Sequence, residues 1–201
     1  MKKKIAFFDF DGTITTKDTL LEFIKFSRGN LFFYFGFFLN SPWLLAYKLK
    51  VISNQIAKQR VLRFFFGGMP LQRFQEECDR FSKELLPQLI RPKALEEIER
   101  LRGNAVSIVI VSASPRNWIS SWADLIRAEL IATRLQISEN QGVSKLTGKI
   151  DGKNCYGEEK VRRIREAFPL SEYEEIYTYG DTRGDLPMLA LGNRPFFKPF
   201  R

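Results

Sequence analysis

The chain has 201 residues, 44% hydrophobic and 27% charged, with a formal net charge of +9. That length holds one sizeable domain, or one domain with a smaller insertion, and the composition is that of a folding sequence. Histidine is absent, which excludes serine–histidine triads, histidine–zinc sites and histidine phosphotransfer and leaves acid–base work to carboxylates, Lys, Tyr or Cys. Two cysteines, Cys78 and Cys155, are too few for a disulfide framework and point to a reducing compartment. Lys2, Lys3 and Lys4 run directly into strand-like sequence with none of the features of a secretory leader, so a cytoplasmic protein is expected. The basic excess calls for anionic partners: phosphorylated substrates, acidic lipid headgroups or nucleic acid.

Residues 4–10 (KIAFFDF) read as a short buried strand ended by Asp11-Gly12-Thr13. Residues 15–85 are helix-like throughout and read as an inserted all-helical cap. From 23 to 75 the cap has no Asp or Glu, whereas Lys25, Arg28, Lys48, Lys50, Lys58, Arg60, Arg63 and Arg73 are basic. Within it, LFFYFGFFL at 31–39 is apolar on every helical face, and Ser41-Pro42 then supplies a cap and first-turn signal. Two short helices in a hairpin are expected there, since a membrane span needs about 20 uninterrupted apolar residues. Beyond the cap come a helix at 92–101, a strand at 107–111 (SIVIV) ended by Ser112-Ala113-Ser114-Pro115, and a helix at 116–127. A β-hairpin is expected at 142–152, a helix at 157–168, and a strand at 175–179 ended by Gly180-Asp181. Short apolar strands alternating with helices predict an α/β fold, a doubly wound, Rossmann-like parallel sheet whose sites form at the carboxyl ends of its strands. The expected domains are a core of residues 1–14 and 86–201 and a cap of 15–85.

The chemistry-bearing residues fall at those strand ends: Asp9, Asp11 and Thr13 after the first, Ser112 after the second, Asp181 and Asp185 after the third, with Lys160 near a helix start. Each has a plain structural reading alone: a turn, a helix cap, loop acids, a solvated lysine. Together they read as one site. Gathered at one sheet edge, Asp9, Asp11, Asp181 and Asp185 would repel one another and raise one another's pKa values. A hard divalent cation relieves that repulsion, and oxygen-only ligands suit Mg²⁺, an ion that belongs with phosphoryl transfer.

These motifs resemble the haloacid dehalogenase superfamily in its phosphoserine-phosphatase-like branch: DFDGT at 9–13, VSAS at 111–114, KLTGKIDG…EEK at 145–160 and YGDTRGDLPML at 179–189. The resemblance implies a phosphatase in which Asp9 attacks phosphorus to form an aspartyl phosphate. Asp11 protonates the leaving alcohol and then activates water. It implies a Mg²⁺ ion held by Asp9, the Asp11 main-chain carbonyl and Asp181, with Ser112 binding a phosphoryl oxygen and Lys160 neutralising charge. Asp185 orients Lys160 or the metal's water shell, and Thr13 supports the Asp11 loop.

The cap would choose the substrate. A phosphorylated lipid is placed first: the apolar cap segment would meet a membrane interface peripherally, on its inner face, while its basic residues meet anionic headgroups. The Asn154-Cys155-Tyr156-Gly157…Lys160 run and the Arg-Pro-Phe-Phe-Lys-Pro ending are similar to bacterial phosphatidylglycerophosphate phosphatases of this branch. The same phenylalanines would equally form the cap's own core or a dimer interface. A soluble small-molecule substrate is the alternative. By resemblance, Asp18 would then contact a substrate amine and Arg60 a substrate carboxylate, although Asp is shorter than the family's Glu. A non-enzymatic nucleic-acid-binding protein ranks well below, since it offers no role for the four aspartates, and no nucleic acid is expected as a partner.

Overall fold

The computed structural model describes residues 3–140 and 142–201. Met1 and Lys2, at the start of the expected core segment, and Gln141 lie outside the described residues. In chain order the elements are β1 (Lys3–Phe8), α1 (Thr19–Arg28), α2 (Asn30–Lys48), α3 (Asn54–Phe66), α4 (Leu71–Glu84), α5 (Leu86–Leu89), α6 (Pro92–Gly103), β2 (Ser107–Pro115), α7 (Ser120–Leu125), β3 (Glu129–Asn140), β4 (Val143–Asp151), α8 (Glu158–Ala167), β5 (Tyr173–Gly180), α9 (Leu186–Leu189) and β6 (Arg194–Phe197). The strands form one sheet in the order β4-β3-β2-β1-β5-β6. Every neighbouring pair is parallel except β3–β4.

Ile5–Phe8 of β1 form an unbroken apolar run because the sheet is covered on both faces. Ile5 and Phe7 lie in one buried cluster with Ile164, Phe168 and Met188; Ala6 and Phe8 lie in another with Ile98, Leu101 and Ile110. With β1 central and parallel to both neighbours, the carboxyl ends of β1, β2 and β5 open on the same edge, and the expected doubly wound α/β core is what forms.

Helices α1 to α5 stand between β1 and α6. The two connections to this helical layer run side by side: Thr16 N–H donates to Leu89 O (2.8 Å) and Arg91 N–H to Ile14 O (2.8 Å). The layer's interior is aromatic, centred on Phe23, whose ring lies 4.7 to 5.6 Å from those of Trp118, Phe66, Phe81 and Phe74. β4 clamps its underside. Gly68 N–H donates to Leu146 O (2.8 Å) and Leu146 N–H to Met69 O (3.0 Å). Gly148 lets the strand touch α3, since a Cβ there would sit 2.3 Å from Arg63 Cα.

Three sequence expectations are corrected. Residues 31–48 do not break into a helical hairpin: α2 runs through Pro42. Proline removes one N–H and leaves the carbonyl four residues back without its donor, but the Ser41 hydroxyl donates to that carbonyl, Phe38 O, at 2.7 Å, and Asn40 Nδ2 donates to Gly36 O at 2.8 Å. The 142–152 stretch is not a hairpin by itself. It is the single strand β4, and its antiparallel partner β3 lies where no element was expected. The expected helix at 116–127 is a short 3₁₀ turn at Arg116–Trp118 followed by α7.

Candidate active site at the carboxyl edge of the sheet

Asp9 follows β1 directly and extends its ladder, its N–H donating to Tyr179 O (2.8 Å). The chain then turns sharply: Asp11 is extended (φ −73°, ψ 117°) and Gly12 adopts φ +83°, a conformation that favours glycine. Glycine is needed here for space as well, because a Cβ would fall 2.6 Å from Asp181 Oδ2. The turn brings Thr13 back beneath Asp9, so that its hydroxyl lies 3.0 Å from Asp9 Oδ2 and 3.3 Å from Asp181 Oδ1.

Lys160, on the first turns of α8, is 1% exposed. Its ammonium donates to Asp9 Oδ1 (2.5 Å) and Asp185 Oδ1 (2.7 Å). The remaining oxygen of Asp185 accepts from Thr182 N–H (3.0 Å), the Thr182 hydroxyl (2.7 Å) and Asp181 N–H (3.3 Å). Both Asp185 oxygens are thus committed to protein donors, which makes it the residue that fixes Lys160 and the loop after β5. Burial pushes the Asp9 carboxyl up, to about 7, against the pull of Lys160. Burial would lower Lys160, but Asp9 and Asp185 outweigh it and hold the ammonium above its ordinary value. Burial and the neighbouring Asp185 also raise Asp181.

The four-acid cluster expected from sequence holds three carboxylates among the described residues. Ligand oxygens of Asp9, Asp181 and Asp185, all buried, lie within 4.8 Å of one another. Asp11 is turned the other way. Its Oδ1 accepts from the Thr19 N–H (2.7 Å) and hydroxyl (2.5 Å) at the start of α1, and its Oδ2 faces the Ser112 hydroxyl at 3.4 Å. The cause is the backbone turn at Asp11–Gly12 together with the partial positive charge of the α1 N-terminus. Ser112 is fully buried, and its Oγ also accepts from Ser114 N–H (2.9 Å).

The donor set fits a hard divalent cation. Asp9 and Asp181 present oxygens, neither His nor Cys intrudes, and Gly12 leaves room beside Asp181. Oxygen-only ligation with few carboxylates suits Mg²⁺. Asp185, whose two oxygens take four protein donors between them, fits as a supporting group. A protein cation also finds this place, as the Arg201 guanidinium contacts Asp181 Oδ2.

Sequence reasoning did not single out several neighbours of the site. Thr19 holds Asp11 and receives the Trp118 indole N–H at 3.1 Å. Lys58 of α3 reaches across to donate to Ala113 O (2.8 Å). Burial beneath the cap lowers Lys58 from the ordinary lysine value, and the carboxylates of Asp11 and Asp18 pull it back only in part. Lys58 stood among the eight basic residues between Phe23 and Gln75, but only the three-dimensional path of α3 shows that it is the one reaching Ala113, next to Ser112. Arg60 projects from another side of that helix, exposed, with its guanidinium 4.0 Å from the centre of the Trp43 ring. Asp18 caps α1, its Oδ1 accepting from Leu20 N–H (2.9 Å) and Leu21 N–H (3.2 Å).

The family described as haloacid dehalogenase-like hydrolase matches residues 6–190. Protein CicA of Caulobacter vibrioides is 34% identical over 195 residues, covering 96% of this chain and 85% of that protein. A probable phosphatase of Mycobacterium tuberculosis is 28% identical over 211 residues, covering 98% of this chain and 69% of its own length. Among solved structures, a Bordetella pertussis protein of unknown function superposes with a TM-score of 0.81 at 17% identity, over 97% of this chain and 89% of that one. A phospho-aspartyl intermediate analogue of phosphoserine phosphatase superposes with a TM-score of 0.67 at 15% identity, over 98% and 86%. The structural matches carry the fold and the sequence matches carry the kinship: this chain belongs to the haloacid dehalogenase-like hydrolase family.

Proposed function

We propose that this hydrolase cleaves phosphate monoesters in two steps through an aspartyl phosphate on Asp9, with Mg²⁺ as cofactor. The supporting observation is the placement of Asp9: a buried carboxylate at the end of the central strand, aimed by the Lys160 ammonium on one oxygen and the Thr13 hydroxyl on the other. A carboxylate so fixed is a nucleophile held in one orientation. In the first step an Asp9 oxygen bonds to phosphorus, the ester P–O bond breaks, and Asp11 gives its proton to the departing alkoxide. In the second, Asp11 takes a proton from water as its oxygen bonds to phosphorus. The acyl-phosphate P–O bond then breaks, releasing inorganic phosphate and the Asp9 carboxylate. Lys160 offsets charge on the phosphoryl oxygens and the Ser112 hydroxyl donates to one of them. A cation held by Asp9, the Asp11 main-chain carbonyl and Asp181 would supply electrostatic stabilisation of that phosphoryl charge. The names of the relatives, a probable phosphatase and a phosphoserine phosphatase among them, agree with this reading.

The substrate is proposed to be a lipid-borne phosphate monoester such as phosphatidylglycerophosphate, because the helical layer beside the site carries an aromatic, basic surface of the kind that meets lipid. A soluble ester is the second reading, favoured by Lys58, a cation above the site suited to an anionic group on a small substrate. Hydrolysis of p-nitrophenyl phosphate with Mg²⁺, and with EDTA in its place, tests the chemistry. Turnover that needs the metal is expected, and turnover indifferent to EDTA would overturn the cofactor assignment. A screen of phospholipid phosphates beside phosphoserine and sugar phosphates separates the two substrate readings.

A further inference from the structure

Helix α2 has two unlike faces. Phe33, Gly36, Phe37, Asn40 and Leu44 turn inward and are buried or half-buried. Gly36 lets the helix settle on α3, since a Cβ there would lie 2.3 Å from the Phe65 ring. The opposite face, at helical spacing, is Leu31, Tyr34, Phe35, Phe38, Pro42, Leu45 and Leu49. All are exposed, and apart from Pro42 they range from 54% at Phe35 to 91% at Leu31. The last residue, Lys48, is the one charged residue among the 19 of the helix, a length of about 28 Å. Isolated exposed apolar residues are ordinary, but a continuous stripe this long marks an interaction surface.

Charge identifies the occupant. No acidic residue lies between Phe23 and Gln75, and the stripe is edged by exposed Lys48, Lys50 and Arg60. Arg60 lies over the Trp43 ring at 4.0 Å. An apolar face bordered by Trp, Tyr, Lys and Arg is what a helix lying in the plane of an anionic bilayer surface presents. A self-association surface has no use for a one-sign rim that would meet its own copy. Among the described residues no helix is long and apolar enough to cross a membrane, and α2 gives its inner face to α3, so the contact is peripheral. The helix also leads towards the catalytic mouth. Tyr47 near its end accepts from Asn54 Nδ2 (3.3 Å), and Asn154 Nδ2 donates to Asn54 Oδ1 (2.6 Å). Tyr156, two residues after Asn154, lies against Gly184 in the loop that carries Asp185.

From these features we infer that α2 is a docking surface for an anionic lipid bilayer, seating the protein with its outer face at the acyl boundary. The surface needs no turnover, so its failure and the failure of the phosphatase reading can be told apart. The test is flotation of the full chain with phosphatidylcholine vesicles containing about one-third phosphatidylglycerol, beside pure phosphatidylcholine vesicles. The wild type is expected to float with the anionic vesicles, with a blue shift of Trp43 emission, and to lose flotation at high salt. F38E/L45E is expected to stay in the soluble fraction while hydrolysing p-nitrophenyl phosphate at the wild-type rate. K48Q and K50Q should each weaken binding about fivefold. A wild type that stays soluble at low salt, or an F38E/L45E variant that floats like it, overturns the inference. So does a dimer in solution that F38E/L45E converts to monomer, which would assign the face to a second copy.

Discussion

The carboxyl edge of the sheet and the outer face of α2 are the two most specialised surfaces of the molecule, and they are built on opposite principles. At the sheet edge Asp9, Lys160 and Asp185 are buried and locked by directional contacts: Lys160 bridges two carboxylates, and Asp185 spends its second oxygen on Thr182. Taking such charges out of water is tolerable only when each has a partner with good geometry. The outer face of α2 has almost no directional contacts and leaves large apolar side chains in water. The first surface is precise because chemistry needs fixed atoms. The second is repetitive, and the docking proposed for it, by area and charge, needs none.

The sharpest way to break this contrast is to remove one group from each surface. Asp9→Asn keeps size and shape but loses the proposed nucleophile. Turnover of p-nitrophenyl phosphate is expected to fall by about four orders of magnitude or more, with the melting temperature little changed. Lys160→Met leaves Asp9 and Asp185 buried without their counter-charge. A destabilisation of roughly 3–5 kcal/mol is expected, which calorimetry would read as a loss of about 10 °C. Addition of Mg²⁺ to the wild type, at about a hundredfold excess over its dissociation constant, should stabilise the fold by about 2.7 kcal/mol, and EDTA should reverse the gain.

The two faces of α2 supply the smaller effects. Gly36→Val forces a side chain against Phe65 and should cost about 1–3 kcal/mol in denaturant unfolding. Phe38→Ala, on the outer face, should change stability by no more than about 0.5 kcal/mol. Equal costs at the two positions would mean that the outer face is packed in solution.

Legibility in the sequence followed the same division. The candidate site was legible because most of its residues sit at strand ends, where a buried apolar run followed by Asp, Ser or Gly-Asp announces itself. Asp9, Ser112, Asp181 and Asp185 follow those runs, and Lys160 reaches Asp9 and Asp185 from α8. The direction of Asp11 was not readable, because it depends on the turn at Gly12 and on the start of α1 arriving beside it. Lys58 and Arg60 are two residues apart on one helix and differ only in the side they face, which periodicity in an acid-free, Phe-rich segment does not resolve. The continuity of α2 through Pro42 escaped for a similar reason: the Ser41–Phe38 contact that repairs the helix resembles, in sequence, a cap that starts a new one. β3 alternates weakly, and the glycines in and beside its partner β4 (Gly142, Gly148 and Gly152) suggested a hairpin on its own.

The central claim is that phosphate passes through Asp9. It is tested most directly by quenching turnover in acid with Mg²⁺ and a rapidly cleaved phosphate ester, then mapping the covalent phosphate by mass spectrometry. One phosphoryl group on the peptide bearing Asp9, absent from Asp9→Asn, is the predicted result. Phosphate on any other residue, or full turnover in Asp9→Asn, would contradict it.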